Sequence, residues 1–326
     1  MTTTPFPAIR RNLDEQVASA AWEGLTSHPK QLPPWLFYDE AGSRLFNEIT
    51  DLPEYYVTRT ERSILTAHAG EIMAQAAQGY RLRLTELGAG SADKTRLLLA
   101  AAVAQQSTVI YEPIDVSATF LETARDRIER EIAGVTVLPR VMDYTNGLAL
   151  VPNSPGERRL VLYIGSSIGN FEPSEALRLL KRLRATLQAG DGLLLGVDLV
   201  KDEPTLAAAY DDQAGITAAF NRNILTRLNR ELDADFDLQS FAHRALWNPA
   251  HSRIEMHLES RVPHTVRVAA LDIDINFAAG ETIHTENSYK YLPGQPEALM
   301  SAAGFELSNR WTDPQGWFAV CLGKAH

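Results

Sequence analysis

The sequence predicts an α/β fold in which short apolar strands form a parallel sheet covered by amphipathic helices. Three features support this fold. A glycine-rich turn follows the first strand, in the segment RLTELGAGSADK. Strands and helices then alternate as far as Asp198, and such alternation requires right-handed crossovers between parallel strands. After Asp198 the sequence changes to runs of alternating polar and apolar residues, which are typical of antiparallel strands.

The elements predicted before Asp198 have the lengths that a doubly wound sheet needs. The predicted strands cover residues 82–87, 109–114, 135–141, 160–164 and 193–198. The predicted helices cover residues 94–104, 117–132 and 173–187. Ser117 is a favourable helix cap and Pro173 a favourable first-turn residue, so both mark helix starts.

The stretch after Asp198 has a different character. Residues 203–232 are predicted as one helix, because Tyr210, Phe220, Ile224 and Leu228 recur at near-helical spacing. The predicted antiparallel strands cover residues 240–247, 253–262, 265–277 and 282–288. A helix at 296–303 and a hairpin of 305–311 with 316–322 then complete the chain.

This organisation predicts two domains. Residues 201–288 interrupt the doubly wound pattern and are interpreted as an inserted α+β domain. The helix-rich residues 1–60 are expected to join that insertion. The predicted domains are therefore 61–200 plus 289–326, and 1–60 plus 201–288.

Composition excludes several function classes. The 326 residues are 45% hydrophobic and carry a net charge of −10 (31 − 41, His neutral). An acidic chain without Lys or Arg runs lacks the basic face that nucleic acids require. Cys321 is the only cysteine, so an intramolecular disulfide is excluded and a reducing cytoplasm is expected. We see no secretory signal and no apolar stretch that spans a membrane, and we expect a cytoplasmic monomer that binds neither nucleic acid nor membrane.

The glycine turn predicts a cofactor site. Gly88 and Gly90 permit a sharp backbone turn and a close approach by a ligand. A dinucleotide fingerprint would have a third glycine where Asp93 stands. The pattern E-x-G-x-G beginning at Glu86 is instead typical of S-adenosylmethionine-dependent methyltransferases. A tight turn in any α/β domain is the alternative.

Acidic residues follow the next two strands. Asp115 lies where doubly wound cofactor folds accept hydrogen bonds from ribose hydroxyls. Its alternative role is to cap the helix that begins near Ser117. Asp143 and Tyr144 lie where an adenine edge would be bound, or Asp143 satisfies its own turn.

A second motif favours another class of enzyme. The segment Gly165-Ser166-Ser167-Ile168-Gly169 matches G-x-S-x-G, the nucleophile elbow of serine hydrolases. An elbow leads directly into a helix, whereas here three residues precede Pro173. A turn of small residues at the end of the fourth strand is the favoured interpretation.

Histidines do not form a recognisable metal motif. His243, His251, His257, His264 and His284 are spread over predicted strands without metal-site spacing, so no metal is expected and they are interpreted as ordinary residues.

Other polar and aromatic residues are candidates for substrate binding. Tyr38, Tyr55 and Tyr210 lie outside the predicted sheet, and DLPEYYVTRTE is polar enough for a loop over the crevice. Glu286 and Ser288 fall on one face of a strand, where they either bind a ring N–H or form a surface pair.

Several long segments together resemble one family. They are PKQLPPWLFYDEAGSRLFNEIT, LPEYYVTRTE, ELGAGSADKTRLLL, GSSIGNFEP, DLVKD, AYDDQAGITAAFNRN and TENSYKY. Distributed over residues 29–291, they resemble the histidine Nα-methyltransferases of ergothioneine biosynthesis, which make hercynine (trimethylhistidine) from L-histidine. The resemblance implies a Rossmann-like class I S-adenosyl-L-methionine-dependent methyltransferase domain with an inserted substrate-binding domain. It also implies S-adenosyl-L-homocysteine as the second product.

The resemblance also implies roles for individual residues. Those that match cofactor-binding positions are Gly88, Lys94, Asp115, Asp143 and Tyr144. Those that match positions holding the amino acid's carboxylate and α-amino group are Tyr55, Asn170 and Tyr210. Glu286 and Ser288 match the positions that hold the imidazole, and Tyr38 matches a tyrosine near the amine. The alternatives are methylation of another amino acid, a serine hydrolase, and a non-catalytic S-adenosylmethionine-binding module.

Overall fold

The computed structural model describes residues 14–145 and 147–326. The helices in these residues are α1 (Glu15–Thr26), α2 (Glu40–Asp51), α3 (Tyr56–Ala77), α4 (Thr95–Gln106), α5 (Ala118–Glu131), α6 (Pro173–Ala185), α7 (Glu203–Ala208), α8 (Ile216–Leu232) and α9 (Gln295–Ala302). The strands are β1 (Lys30–Gln31), β2 (Arg81–Leu87), β3 (Val109–Asp115), β4 (Val135–Val137), β5 (Arg140–Val141), β6 (Glu157–Tyr163), β7 (Gly192–Asp198), β8 (Phe241–Asn248), β9 (Arg253–Ser260), β10 (His264–Val268), β11 (Ile273–Phe277), β12 (Thr282–Tyr289), β13 (Phe305–Thr312) and β14 (Phe318–Ala325). Within the described ranges, we find no helix with the length and apolar character to cross a bilayer.

The chain divides into two compact units. Unit 1 comprises Met1–Tyr56 and Asp202–Ser288, and unit 2 comprises Val57–Lys201 and Tyr289–His326. Each unit combines the same two segments of the chain as one of the predicted domains. The boundaries of the units differ from the predicted ones by a few residues. Residues 1–13 of the predicted segment 1–60 lie outside the described residues. Substrate and cofactor domains, as functional assignments, remain a prediction.

Unit 2 contains the predicted parallel sheet. Its strand order is β13-β14-β7-β6-β2-β3-β4, and β5 also pairs with β3. The pairs β2/β3, β2/β6, β6/β7 and β3/β4 are parallel. The predicted closing hairpin is confirmed, because β13 and β14 pair antiparallel at the edge and β14 also pairs antiparallel with β7. The carboxyl ends of β2, β3 and β6 therefore lie side by side at one edge of the sheet.

One predicted strand of unit 2 was wrong in its extent. Residues 135–141 form the two short strands β4 and β5 instead of one strand. Pro139 lies between them and has no N–H to donate to a neighbouring strand, so the ladder is interrupted there. The second short strand still reaches β3, with Val141 opposite Asp115.

Helix ends in unit 2 agree with the capping residues in the sequence. The Ser117 hydroxyl oxygen accepts the Phe120 N–H at 3.4 Å and caps α5. Pro173 occupies the first turn of α6, where a missing N–H costs nothing. The buried face of α6 carries Leu179, Leu180 and Leu183, which belong to the core cluster that contains the buried leucines of β7.

Unit 1 combines helices with two antiparallel arrangements. A four-stranded sheet has the order β1-β12-β9-β8, in which β8 and β9 are antiparallel and β1 is parallel to β12. A separate pair is formed by β10 and β11. The prediction of one strand over residues 265–277 was wrong, because a 3-10 turn at Ala269–Leu271 and Asp272 at φ +54° reverse the chain between them.

The prediction of a single helix over residues 203–232 was also wrong. The helix ends at Ala208 and a new one begins at Ile216. Gly215 has φ +76°, a conformation that interrupts a right-handed helix. The Asp212 carboxylate accepts the N–H groups of Ile216 at 3.0 Å and Thr217 at 2.7 Å, and so caps α8. Tyr210 therefore lies in a loop between two helices.

Candidate functional site

In unit 2 the glycine turn is tied to the end of the neighbouring strand. Gly88 has φ +68° and Gly90 has φ +49°, both in the region that favours glycine. The Gly88 N–H donates to the Ile114 main-chain oxygen at 2.9 Å. The Gly90 N–H donates to the Asp115 carboxylate at 3.0 Å. The turn after β2 is therefore held open against the end of β3.

Asp115 has an oriented carboxylate with remaining acceptor capacity. One oxygen accepts the Gly90 N–H and the other accepts the Ser117 N–H at 3.1 Å. The alternative in which Asp115 caps α5 was wrong, because Ser117 is the cap. A carboxylate has about four acceptor positions, so these two contacts leave room for further donors such as ribose hydroxyls.

Asp143 and Tyr144 follow β5 close to the same turn. The Asp143 carboxylate accepts the main-chain N–H of Thr145 at 2.8 Å and its hydroxyl at 2.6 Å, so it does satisfy its own turn. The Tyr144 hydroxyl lies 3.6 Å from the point that a Cβ on Gly88 would occupy. Burial raises the pKa of Tyr144 to about 12, so its hydroxyl stays protonated at neutral pH.

Glu86, the acidic residue of the E-x-G-x-G pattern, is directed into the interior of unit 2. Its carboxyl group accepts the Thr95 hydroxyl at 2.7 Å and the Tyr111 hydroxyl. Burial raises its pKa to about 7, although both hydroxyl donors and Lys94 act in the opposite direction. Glu86 thereby joins β2 to the start of α4 and to β3.

A carboxylate that the sequence interpretation missed lies beside Lys94. Glu61 on α3 is fully buried and forms an ion pair with the Lys94 ammonium group. Its two oxygens also accept the Gly165 N–H at 2.9 and 3.0 Å. A Cβ on Gly196 would lie 2.1 Å from a Glu61 oxygen, so only glycine leaves room for this carboxylate. The single sequence signal was that Glu61 ends the segment LPEYYVTRTE.

The G-x-S-x-G segment of unit 2 forms a turn and not an elbow. Residues Ser167–Asn170 form a 3-10 turn, and the residue with positive φ is Ser166 at +61°. The Ser166 hydroxyl accepts the Asp198 N–H at 2.9 Å, which joins this turn to the end of β7. Within the described ranges, no histidine hydrogen-bonds to Ser167. Asn170 ends the turn next to the carboxyl end of β6.

In unit 1 the predicted tyrosines belong to one aromatic cluster. Tyr38 packs edge-on against Phe46 with ring centroids 5.7 Å apart, and Phe46 packs against Tyr55 at 6.3 Å. Tyr55 packs edge-on against Tyr210 at 6.2 Å. Phe220 on α8 also packs against Tyr38, with ring centroids 5.8 Å apart. These edge-to-face contacts bring three distant segments of the chain together.

The same cluster reaches the strand that carries Glu286 and Ser288. The Tyr210 hydroxyl lies 2.7 Å from the Ser288 hydroxyl. Glu286 is 8% exposed and Ser288 is 5% exposed. The alternative in which these two residues form a surface pair was therefore wrong. Unit 1 thus brings Tyr38, Tyr55, Tyr210 and the Glu286–Ser288 pair into one neighbourhood.

The segment DLPEYYVTRTE differs from the loop that was predicted. Its second tyrosine, Tyr56, begins α3 and is fully buried. Only residues 52–55 form the connection between α2 and α3. Tyr55 is at the end of this connection, and it is 7% exposed. The connection therefore ends with Tyr55 in the aromatic cluster, and the residues from Tyr56 onward belong to α3.

Comparison with known proteins identifies the relatives of this chain. The family of histidine-specific, S-adenosylmethionine-dependent methyltransferases matches residues 17–325. A histidine N-alpha-methyltransferase from Mycolicibacterium smegmatis is 48% identical over 92% of both chains. A histidine N-alpha-methyltransferase from Mycobacterium tuberculosis is 45% identical over 92% of both chains. An ergothioneine biosynthesis protein 1 from Neurospora crassa is 31% identical over 87% of this chain and 32% of its own length.

Proposed function

Because the chain belongs to the family of histidine-specific, S-adenosylmethionine-dependent methyltransferases, we propose that it trimethylates the α-amino group of L-histidine. The product is hercynine, and the reaction is the first step of ergothioneine biosynthesis. The chain is a class I methyltransferase, an N-methyltransferase that uses S-adenosyl-L-methionine and releases S-adenosyl-L-homocysteine. The structural observation that carries the choice of substrate is the buried pair Glu286 and Ser288 beside Tyr210.

The residues of unit 2 fit S-adenosylmethionine. Gly90 would meet nothing within 4 Å if it carried a Cβ, so the turn leaves space for a ligand. Asp115 is the acceptor for the ribose hydroxyls, in a carboxylate already oriented by two main-chain N–H groups. Tyr144 and Asp143 are assigned to the adenine, and Gly88 and Lys94 to the remainder of the cofactor. The bound cofactor supplies an electrophilic methyl group on a sulfonium.

The residues of unit 1 suit a small amino acid with a nitrogen-containing ring. Tyr55 and Tyr210 are assigned to the carboxylate and α-amino group. The same assignment for Asn170 follows from the resemblance alone. Glu286 accepts an imidazole N–H, and Ser288 donates to or accepts from the other ring nitrogen. A buried carboxylate suits an N–H donor and disfavours a purely apolar ring, which would leave it desolvated and unsatisfied.

The residue types agree with direct displacement at the methyl group. An α-amine with a pKa near 8 in peptides is partly neutral at physiological pH, and somewhat less so in a free amino acid. The neutral fraction has the lone pair that attacks the methyl group. The residues then orient the amine, and orientation is the main contribution in such a reaction. As methyl groups accumulate the amine becomes a fixed cation, which tyrosine faces stabilise by roughly 0.5–2 kcal/mol. We assign this role to Tyr38 and its neighbours in the aromatic cluster.

The setting of the reaction follows from the same proposal. We infer a cytoplasmic monomer that acts on free histidine, with no nucleic acid, membrane or metal in the reaction. The net charge of −10 and the single buried cysteine, Cys321, support this setting.

The test is a methylation assay over the common amino acids with S-adenosylmethionine, followed by mass spectrometry. We expect L-histidine to gain one, two and then three methyl groups, and the other amino acids to gain none. Trimethylation of a different amino acid in preference to histidine would overturn the choice of substrate. Ester hydrolysis without methyl transfer would instead support the serine hydrolase alternative.

A further inference from the structure

A buried set of hydrogen bonds in unit 1 joins α8 to two strands. Asn221 on α8 is fully buried. Its side-chain oxygen accepts the Thr285 hydroxyl at 2.8 Å. Its side-chain nitrogen lies 2.8 Å from His243 Nδ1 and 3.0 Å from the main-chain oxygen of His257. Both N–H groups and the oxygen of the amide are therefore engaged.

These contacts determine the tautomer of His243. The main-chain oxygen of His257 can only accept, so the Asn221 atom that faces it is the nitrogen. The second N–H of that nitrogen faces His243 Nδ1, which therefore accepts. The proton of a neutral ring is then on Nε2, which lies 2.8 Å from the main-chain oxygen of Tyr210 and donates to it. The side chain of His243 is 2% exposed, so water does not replace these partners.

Both ends of this network reach predicted substrate residues. At one end His243 holds the main chain of Tyr210, whose hydroxyl lies 2.7 Å from Ser288. At the other end the Thr285 hydroxyl oxygen also lies 3.0 Å from the Met256 main-chain oxygen, so its one proton is shared between that oxygen and the Asn221 side-chain oxygen. Thr285 directly precedes Glu286 on β12. The network therefore joins the loop of Tyr210 to the strand of the ring-binding pair.

We propose that Asn221 and His243 are positioning residues, which hold Tyr210 against Ser288 and so set the affinity for the amino acid. Neither is assigned a contact with the substrate, and both act through Tyr210. The inference rests on the proposed function, because the roles of Tyr210 and Ser288 belong to it. It identifies a histidine that sequence spacing gave no reason to single out.

The neutral form of His243 is the one that fits the network. Burial lowers its pKa below the ordinary value of 6.5, and Arg222 acts in the same direction. The hydrogen bond to Tyr210 and the carboxylates of Asp211 and Asp212 act in the opposite direction. Protonation would put an N–H on Nδ1 against the Asn221 N–H. The network is thus intact above this lowered pKa, and is lost as the pH falls through it.

The first test uses calorimetry to measure the dissociation constant for L-histidine in the presence of saturating S-adenosylhomocysteine. His243→Leu is compared with wild type. We expect at least tenfold weaker histidine binding at about pH 8, with S-adenosylhomocysteine affinity unchanged within about twofold. His264→Leu is the matched control, since His264 lies in the same unit and contacts Val262 rather than Tyr210. Wild-type affinity in His243→Leu, or equal losses in both leucine variants, would overturn the inference.

The second test uses His243→Gln, whose amide supplies one acceptor and a donor but does not titrate. We expect histidine affinity within about threefold of wild type at about pH 8. As the pH falls from about 8 through the lowered pKa of His243, wild type should lose affinity relative to this variant, until the difference exceeds about threefold. The ratio cancels the titration of the substrate, which both proteins share. If the ratio of the two histidine affinities does not change with pH, the positioning role of His243 is contradicted.

The third test examines the hydrogen bonds of His243 in wild type, so it does not depend on whether His243→Leu folds. Nitrogen chemical shifts of the wild-type imidazoles should identify His243 as neutral and protonated on Nε2 near pH 7. A cationic ring or the Nδ1–H tautomer would overturn the network. The two proposals remain separable: a wild type that binds no histidine overturns the proposed function, whereas histidine binding that is unaltered in His243→Leu overturns only the positioning role.

Discussion

The residues of unit 2 that we propose for the cofactor and those of unit 1 that we propose for the substrate are assembled in different ways. In unit 2 the Gly90 main chain is held by Asp115, only 25 residues away. Gly90 lies in the turn after β2 and Asp115 ends β3, which is parallel to β2. In unit 1 the Tyr210–Ser288 contact spans 78 residues and joins a loop to a strand. The first site depends on backbone groups at strand ends, and the second depends on side chains brought together by packing.

This difference predicts different consequences of mutation. A change in unit 2 removes charge-assisted hydrogen bonds and should weaken the cofactor. A change in unit 1 alters the groups that face the substrate and should change which amino acid is methylated. The following substitutions test that division, beginning with the largest expected effect.

Asp115→Ala should weaken the binding of S-adenosylhomocysteine on the order of 10²–10⁴-fold. Two ribose hydroxyls would each lose an ionic acceptor, at about 1.5–3 kcal/mol per hydrogen bond. Calorimetric titration measures the affinity, and the melting temperature checks that the fold survives. Asp126→Ala is the control, because Asp126 is exposed on α5 and pairs with Arg125. Unchanged affinity in the Asp115 variant would refute the ribose role.

Glu286→Ala should raise the KM for histidine roughly tenfold or more, because a buried ring N–H loses a charged acceptor. It should also relax discrimination against phenylalanine and tryptophan, since no carboxylate is then desolvated against an apolar ring. Methylation of the three amino acids by wild type and variant is compared. Glu259→Ala, which removes a partly exposed glutamate paired with Arg244, is the control. If the ratio of the three rates stays constant, this residue does not recognise the ring.

Glu61→Gln should weaken S-adenosylhomocysteine binding about fivefold, close to 1 kcal/mol. The variant keeps the size of the side chain but removes the anion that pairs with Lys94, and leaves one acceptor oxygen for the Gly165 N–H. The variant also tests the comparison between the units, because the Glu61–Gly165 contact spans 104 residues, whereas the Gly90–Asp115 contact spans only 25. Glu122→Gln on the exposed side of α5 is the control. Equal or tighter binding by the Glu61 variant would show that Lys94 needs no such partner.

Ser167→Ala should change the methylation rate by less than about twofold, because direct displacement needs no serine nucleophile. The neighbouring Ser166→Ala is the matched contrast. It removes the acceptor for the buried Asp198 N–H and should lower the free energy of unfolding by about 1–3 kcal/mol. Methylation rates and chemical denaturation of both variants give the two readouts. Complete loss of activity in Ser167→Ala at wild-type stability and cofactor affinity would reopen the hydrolase alternative.

Much of unit 2 could be predicted because its signals are local. Glycine at positive φ, a serine cap and an apolar strand each express a preference of a few adjacent residues. The same reasoning failed at Pro139 and between Ala208 and Ile216, where the chain leaves an element that the longer apolar pattern continued. The second break matters for the proposed site, because Tyr210 lies in it.

By itself the sequence determined the family, the parallel sheet, the glycine turn and the edge hairpin, because these depend on residue spacing and on contiguous matching segments. Only the tertiary structure decided that Glu61 pairs with Lys94, that Glu286 and Ser288 are buried, and that His243 holds Tyr210. These contacts join residues far apart in the chain. Packing decides which donors and acceptors face each other in these contacts, and local sequence does not contain that information.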